Sequence, residues 1–294
     1  MMTQPTENRI RLNGLEICYF EWPGTGPAIF FAHATGFHAR CWDQIIKRLP
    51  GRHAIAIDMR GHGRSERPDP STVEWRQFGE DVAELAKALK FEGAIGVGHS
   101  MGGHSVTLAA ALVPGAFAGL LLVDPVILSE ETYARRQRPE GTEHFAARRR
   151  NQWASVEEMV ERFSGRGNFA NWDPATLRDY CQYGLLPSST GEGFELACPP
   201  AFEGATYMMS SGSDIHSQMA KLQIPVRIIR ARQRTSEIAP DFSSSPTDPD
   251  LWKSFSQATD RELPELSHFI PMEAPALVAD EIGALVAQVT VPAK

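Results

Sequence analysis

The sequence predicts an α/β protein, with a mostly parallel central sheet flanked by helices and interrupted by an inserted helical segment. Three observations carry this reading. Strand and helix signals alternate from residue 9 to about 127, the strand signals vanish over 128–217, and sheet-like sequence returns near residue 224 and runs to a closing helix. Such a βαβα rhythm implies parallel strands, because each crossover helix returns the chain to the starting edge of the sheet.

The elements follow in order. Ile10–Leu12 and Leu15–Glu21 read as strands joined at Asn13-Gly14, a hairpin dipeptide. Ala28–Ala34 is a short apolar run suited to a strand buried on both faces. A helical stretch, Ala39–Leu49, closes at Pro50-Gly51, and His53–Asp58 is the next strand. Glu74–Lys90 carries Phe78, Val82, Leu85, Ala86 and Leu89 at helical spacing. Ala94–His99 is a strand, Met101–Leu112 a helix and Phe117–Asp124 a strand. Within 128–217 only helical patterns stand out, near Glu130–Arg150, Val156–Phe163 and Asp173–Tyr183. Ile224–Arg230 resumes the sheet. A Ser/Pro/Asp-rich loop (Gln233–Asp250), a helical patch (Leu251–Gln257), a strand near Asp260–Leu263 and the helix Pro275–Val289 complete the chain. The expected division is a core of 1–127 with 218–294, and a helical cap of 128–217.

Composition narrows the function. In 294 residues, 42% are AVILMFWYC, enough for a core of ordinary size. Lys+Arg number 29 against 36 Asp+Glu, a net charge of −7. That balance disfavours nucleic acid or an anionic membrane as partner and leaves small, neutral or weakly charged molecules. Met1–Arg9 lacks an apolar signal core, and Val106–Val123, although long and apolar, is split by Pro114-Gly115 into a helical half and a strand half. Cys18, Cys41, Cys181 and Cys198 follow no CxxC spacing and read as free thiols. The expectation is a cytoplasmic protein, monomeric or homodimeric, that uses no cofactor or metal.

The chemistry concentrates at Gly98-His99-Ser100-Met101-Gly102, a G-x-S-x-G between a buried strand and a helix. A strand-to-helix turn within so few residues strains the Ser backbone and leaves no room for side chains two positions either side. Glycine there exposes the Ser100 hydroxyl at the carboxyl edge of the sheet. Dinucleotide binding is a poor alternative, because Gly102 lies one position too far for GxGxxG and no GK[ST] occurs.

With this motif, His33-Ala34-Thr35-Gly36, Asp58-Met59-Arg60-Gly61-His62-Gly63-Arg64-Ser65 and Ser267-His268-Phe269-Ile270-Pro271-Met272-Glu273, the chain resembles the α/β-hydrolase superfamily, in its capped serine hydrolase and carboxylesterase branch. The resemblance covers most of 9–127 and 218–290. It implies the α/β-hydrolase fold, with Ser100 as nucleophile, His268 as general base, and an oxyanion hole of the Thr35 and Met101 N–H groups. The Thr35 hydroxyl is either a third donor or a simple loop hydroxyl. Ala34 stands where many relatives have Gly. Serine at 100, where dehalogenases and epoxide hydrolases carry Asp, disfavours their chemistry.

The acid departs from the usual pattern. Relatives commonly place it in the loop after Ile224–Arg230, but here that loop begins Ala231-Arg232-Gln233-Arg234. Asp124, at the end of the strand 24 residues after Ser100, is the candidate, as in some haloalkane dehalogenases. Its Asp-Pro sequence also suits a plain turn, and Glu237 and Asp241 are the rivals. For the substrate, His33, Phe37, His99, Trp153 and Phe269 are the candidate contacts. His33 is also expected to shape the oxyanion loop, and His99 to pack beneath the Ser. The cap aromatics either line an apolar pocket or merely hold the cap together. Its arginines (Arg135-Arg136, Arg148-Arg149-Arg150) fit a solvated face with i,i+4 partners or a carboxylate-recognising site. The expected reaction is hydrolysis of a carboxylic ester or lactone. C–C bond hydrolysis of dienoate or diketone substrates, perhydrolysis, and a low-turnover sensor that only binds small molecules are the alternatives.

Overall fold

The computed structural model describes residues 4–135, 143–210, 213–234 and 241–290. Strands β1 (Thr6–Leu12) and β2 (Leu15–Trp22) form the expected hairpin, with Asn13 and Gly14 both at positive φ (47° and 83°). β3 (Thr25–Ala32), β4 (Arg52–Ile57), β5 (Ala94–His99) and β6 (Phe117–Val123) follow. Three short strands come next: β7 (Gln152–Trp153), β8 (Leu185–Pro187) and β9 (Phe194–Leu196). β10 (Val226–Ala231) and β11 (Ala258–Leu263) complete an eight-stranded sheet in the order β1-β2-β4-β3-β5-β6-β10-β11. Its β1–β2 and β2–β4 pairs are antiparallel and all others parallel. The central strands β3, β5 and β6 lie between covered faces, which is why their sequences read as continuous apolar runs.

On one face pack helices α1 (Trp75–Ala88) and α2 (Met101–Leu112); α1 turns Trp75, Phe78, Val82 and Leu85 inward and opens with a reciprocal Glu74–Gln77 capping box. On the other face, Trp42, Ile45 and the last helix meet Phe31, Val97, Leu121 and Ile229. Between these parts run α3 (Val156–Phe163), α4 (Pro174–Tyr183) and α5 (Pro200–Met208), and α6 (Pro275–Thr290) ends the described chain. Among the described residues no helix is long and apolar enough to cross a membrane. The four cysteines are buried and unpaired.

Several elements differ from expectation. Ala39–Leu49 is not one helix but a 3-10 turn, Ala39–Trp42, running into a single α-turn, Asp43–Ile46. The Asp58 carboxylate takes the Ala39 N–H at 2.7 Å, anchoring the start of the turn to the end of β4. The segment 128–217 is not purely helical, since β7, β9 and β8 form a small antiparallel sheet. Strands of two or three residues are too short to show period-2 alternation. The expected helix Glu130–Arg150 is represented by Glu130–Arg135 and a 3-10 turn at Phe145–Arg148, with 136–142 outside the described residues. Helix α5 gave no pattern in sequence, although Pro199-Pro200 marks its first turn. This segment is tied in at two places. Phe202, Ile215 and Met219 join the core cluster beneath α1 and α2, while Trp153, Met159 and Leu177 form a separate cluster with Phe37 and Phe269.

Candidate active site

The turn from β5 into α2 places Ser100 at φ 56°, ψ −117°, a region L-residues avoid. Such a conformation costs about 1–3 kcal/mol and persists only where its surroundings fix it. Here the Ser100 N–H donates to the Val123 carbonyl (3.1 Å), and the Val126 N–H donates to the Ser100 carbonyl (3.1 Å). Glycine is obligatory on both sides. A Cβ on Gly98 would lie 2.3 Å from the Gly102 oxygen, and one on Gly102 would lie 2.1 Å from the Ala32 oxygen.

Asp124, one residue beyond β6, also has positive φ (43°), and its N–H donates to the Ile229 carbonyl at 2.7 Å. Its carboxylate is wholly buried. Oδ1 accepts from the Ala231 N–H (3.0 Å), the Ser245 hydroxyl (2.5 Å) and the Thr247 hydroxyl (3.3 Å). Oδ2 accepts from His268 Nδ1 at 2.6 Å, and His268 Nε2 lies 3.0 Å from Ser100 Oγ. With Nδ1–H directed at the carboxylate, Nε2 is left to accept the serine proton. The His268 backbone is held as well, its N–H donating to the Phe242 carbonyl (3.0 Å) and its carbonyl accepting from His99 Nε2 (2.8 Å). Of the rival acids, Asp241 accepts from the N–H and hydroxyl of Ser243 on an exposed stretch, and Glu237 lies outside the described residues.

The loop after β3 faces the turn at Ser100. The Thr35 hydroxyl donates to the Met101 sulfur (3.4 Å), so it points at the neighbouring side chain. The N–H groups of Thr35 and Met101 meet no acceptor among the described residues. Two buried imidazoles fix this loop. His33 donates from Nδ1 to the Ala34 carbonyl and accepts the Met59 N–H, while His62 accepts the Gly36 N–H at 3.0 Å. Burial drives both rings well below the usual imidazole range, His62 to about 4, so they stay neutral and can act as acceptors.

A profile of the alpha/beta hydrolase family matches residues 29–281. The chain belongs to this family. It is 37% identical over 127 residues to a non-heme chloroperoxidase of Streptomyces lividans, a match of 41% of this chain and 46% of that protein. An esterase of Mycobacterium tuberculosis is 32% identical over 114 residues, 39% of this chain and 38% of that protein. The chain thus spans less than half the length of each of these relatives. Among solved structures, an E-2-(acetamidomethylene)succinate hydrolase superposes with a TM-score of 0.75 at 20% identity, covering 96% of this chain and 99% of that one. A thermophilic esterase of Thermogutta terrifontis superposes with a TM-score of 0.67 at 22% identity, covering 98% and 100%. At such identities these two likenesses speak for the fold.

As a member of the alpha/beta hydrolase family, the chain has a cavity of about 100 Å³ beside these groups, lined by Phe37, Phe145, Arg149, Asn168, Phe169, Trp172, Tyr180, Glu203, Tyr207, Phe242 and Phe269. Phe242 stacks on His268 (6.0 Å between centroids), and Tyr207 Oη donates to the Thr35 carbonyl (3.3 Å). Two of the expected substrate contacts, Phe37 and Phe269, are in this wall. The other three are not. His33 and His99 are buried outside it, with both His33 nitrogens and His99 Nε2 bonded to backbone, and Trp153 packs on Phe163 with Arg150 over its ring (4.3 Å), away from the lining. Sequence reasoning also missed Ser245 and Thr247. They sit in the long loop after β10 as one hydroxyl cluster among many Ser/Pro/Asp residues, and only the fold brings them to Asp124. Among the described residues, no three His, Cys, Asp or Glu side chains converge as a metal site would need.

Proposed function

We propose that this member of the alpha/beta hydrolase family is a serine hydrolase of carboxylic esters, lactones included, acting through an acyl-enzyme. The observation that supports it is the unbroken relay Ser100 Oγ–His268–Asp124, at 3.0 and 2.6 Å. In this reading Ser100 Oγ attacks the carbonyl carbon as its proton passes to His268 Nε2, and Asp124 stabilises the resulting imidazolium. The Thr35 and Met101 N–H groups take the developing oxyanion, each worth about 3–4 kcal/mol in the transition state. The C–O bond then breaks and the alcohol leaves with the proton from Nε2. Water, deprotonated by the same nitrogen, attacks the acyl carbon and frees the acid and Ser100. Residues 128–217 serve as the cap that walls the acyl pocket.

The test is a hydrolysis screen over short alkyl esters, aryl esters, lactones and vinylogous diketones, with Ser100→Ala as control. Turnover of esters or lactones that disappears in Ser100→Ala supports the reading. Equal activity in both proteins sinks the nucleophile, preference for the diketones replaces ester with C–C cleavage, and binding without turnover makes the protein a sensor.

A further inference from the structure

The cavity wall holds one feature that an apolar acyl pocket does not require. Arg149 Nη1 donates to Glu203 Oε2 at 2.6 Å, and its Nη2 donates to Tyr180 Oη at 2.8 Å. These bonds use two of the five N–H donors of a guanidinium, and no other acceptor for Arg149 occurs among the described residues. The two partners are not equally reachable, since the Arg149 side chain is 25% exposed and that of Glu203 only 5%. Glu203 sits behind, against the oxyanion loop, where a Cβ on Gly36 would lie 2.5 Å from its Oε1. The guanidinium is therefore held by a nearly buried carboxylate and offers its uncommitted donors to a cavity whose other lining residues, Asn168 and Glu203 apart, are aromatic.

Stability alone does not account for this arrangement. Enclosing an ion pair in a largely apolar site costs desolvation that the Coulomb attraction offsets only in part, so a well-packed apolar pair would hold α5 as well or better. Burial raises the Glu203 carboxyl, with Arg149 pulling it back, which marks the same tension. What the pair does provide is a fixed set of donors in the cavity whose other wall, Phe242 and Phe269, packs on His268.

We propose that Arg149 is a specificity-determining anchor for a short acyl group that carries an acceptor oxygen, a neutral carbonyl or a carboxylate, at its distal end. The inference rests on the ester-hydrolase reading above. The acyl group is assigned because it stays bound to Ser100 through the second half of the reaction, when the alcohol has already left. The size fits a short chain, because a cavity of about 150 Å³ holds a benzene ring, and this one measures about 100 Å³. A hydrogen bond to a charged donor contributes about 1.5–3 kcal/mol, roughly 10–100-fold in rate.

The experiment compares 4-nitrophenyl esters of pentanoic acid, monomethyl succinic acid and succinic acid on wild type, Arg149→Met and Arg149→Lys. The expected result is a wild-type preference, in kcat/KM, for at least one acceptor-tipped ester over the pentanoate, reduced about 10–100-fold in Arg149→Met and partly kept in Arg149→Lys. Whether the methyl succinate or the succinate is preferred tells a neutral carbonyl from a carboxylate. Glu203→Gln, which keeps the shape and removes the counter-charge, should move the preference toward the succinate. An equal fall on all three esters, or no wild-type preference, overturns the anchor and makes the pair structural. If wild type cleaves no ester, the ester reading itself fails. The anchor is then read by calorimetry with succinate and pentanoate, where a wild-type preference for succinate that is lost in Arg149→Met supports it, and no such preference, or one equal in both proteins, overturns it.

Discussion

Two regions of this molecule meet around Thr35, Phe37 and Phe269 and solve different problems. The ends of β5, β6 and β10 hold Ser100 and Asp124 through backbone. Ser100 and Asp124 both sit at positive φ, each is pinned to a neighbouring strand, and Asp124 has a partner for both oxygens. The wall contributed by residues 145–207 is built from side chains. Phe163 stacks on Phe169, Trp172 meets Phe37 and Phe269, and Arg149 bridges Glu203 and Tyr180. The contrast teaches that geometry set by a sheet edge is unforgiving, whereas a wall of packed rings can change composition without moving the groups at that edge.

That contrast can be broken in order of size. Asp124→Asn should cost about 10⁴ in kcat, because the amide cannot hold His268 in the required tautomer; steady-state kinetics showing a loss under tenfold, with Asp241→Asn crippled instead, would move the acid off β6. Acid should unfold the sheet side first. Burial keeps His33, His38, His62, His99 and His104 neutral in the fold, with His38 lowered to about 3 and His62 and His104 to about 4. An unfolded chain would protonate them near pH 6.5, so their contribution is complete above about pH 6.5 and drains as pH falls toward 4. Each ring should add about 1.4 kcal/mol per pH unit to that slope, as urea unfolding at pH 7, 6 and 5 would measure. A flat profile would contradict the neutral, buried state of these rings. Gly102→Ala should cost about 3 kcal/mol or more, since its Cβ would fall on the backbone oxygen of Ala32 and cannot be relieved by a side-chain rotation; thermal unfolding within a degree or two of wild type would show the turn to be softer than described. The smallest effect belongs to Ser245→Ala, expected to lower kcat/KM about tenfold through loss of one donor to Asp124, with Ser245→Thr restoring most of it.

How much of this was legible in the sequence follows the same division. The turn at Ser100 was readable because strand, helix and both glycines are adjacent in the chain, and Asp124 because a cation, Arg234, stands in the loop where the acid is usually found. His268 was readable from its place between the last strand and the closing helix. The wall was readable only in part, through Phe37 and Phe269. Arg149 read as part of either a solvated basic cluster or a carboxylate-recognising site, and only the fold put Glu203, 54 residues on, at 2.6 Å. Arg135 in the same composition does pair with Glu131 on the surface. Ser245 and Phe242 meet Asp124 and His268 only through the fold, and β7 to β9 are too short for any periodicity to register.

The central claim is that Ser100 becomes acylated with His268 as its base. The direct measurement is rapid-quench mass spectrometry of the intact protein mixed with a 4-nitrophenyl ester, with a stopped-flow trace of nitrophenolate release. The account predicts a burst of one equivalent and an acyl adduct that peptide mapping places on Ser100, absent in Ser100→Ala and strongly slowed in His268→Ala. An adduct on any other residue, or turnover in which Ser100→Ala forms the same acyl intermediate, would contradict it.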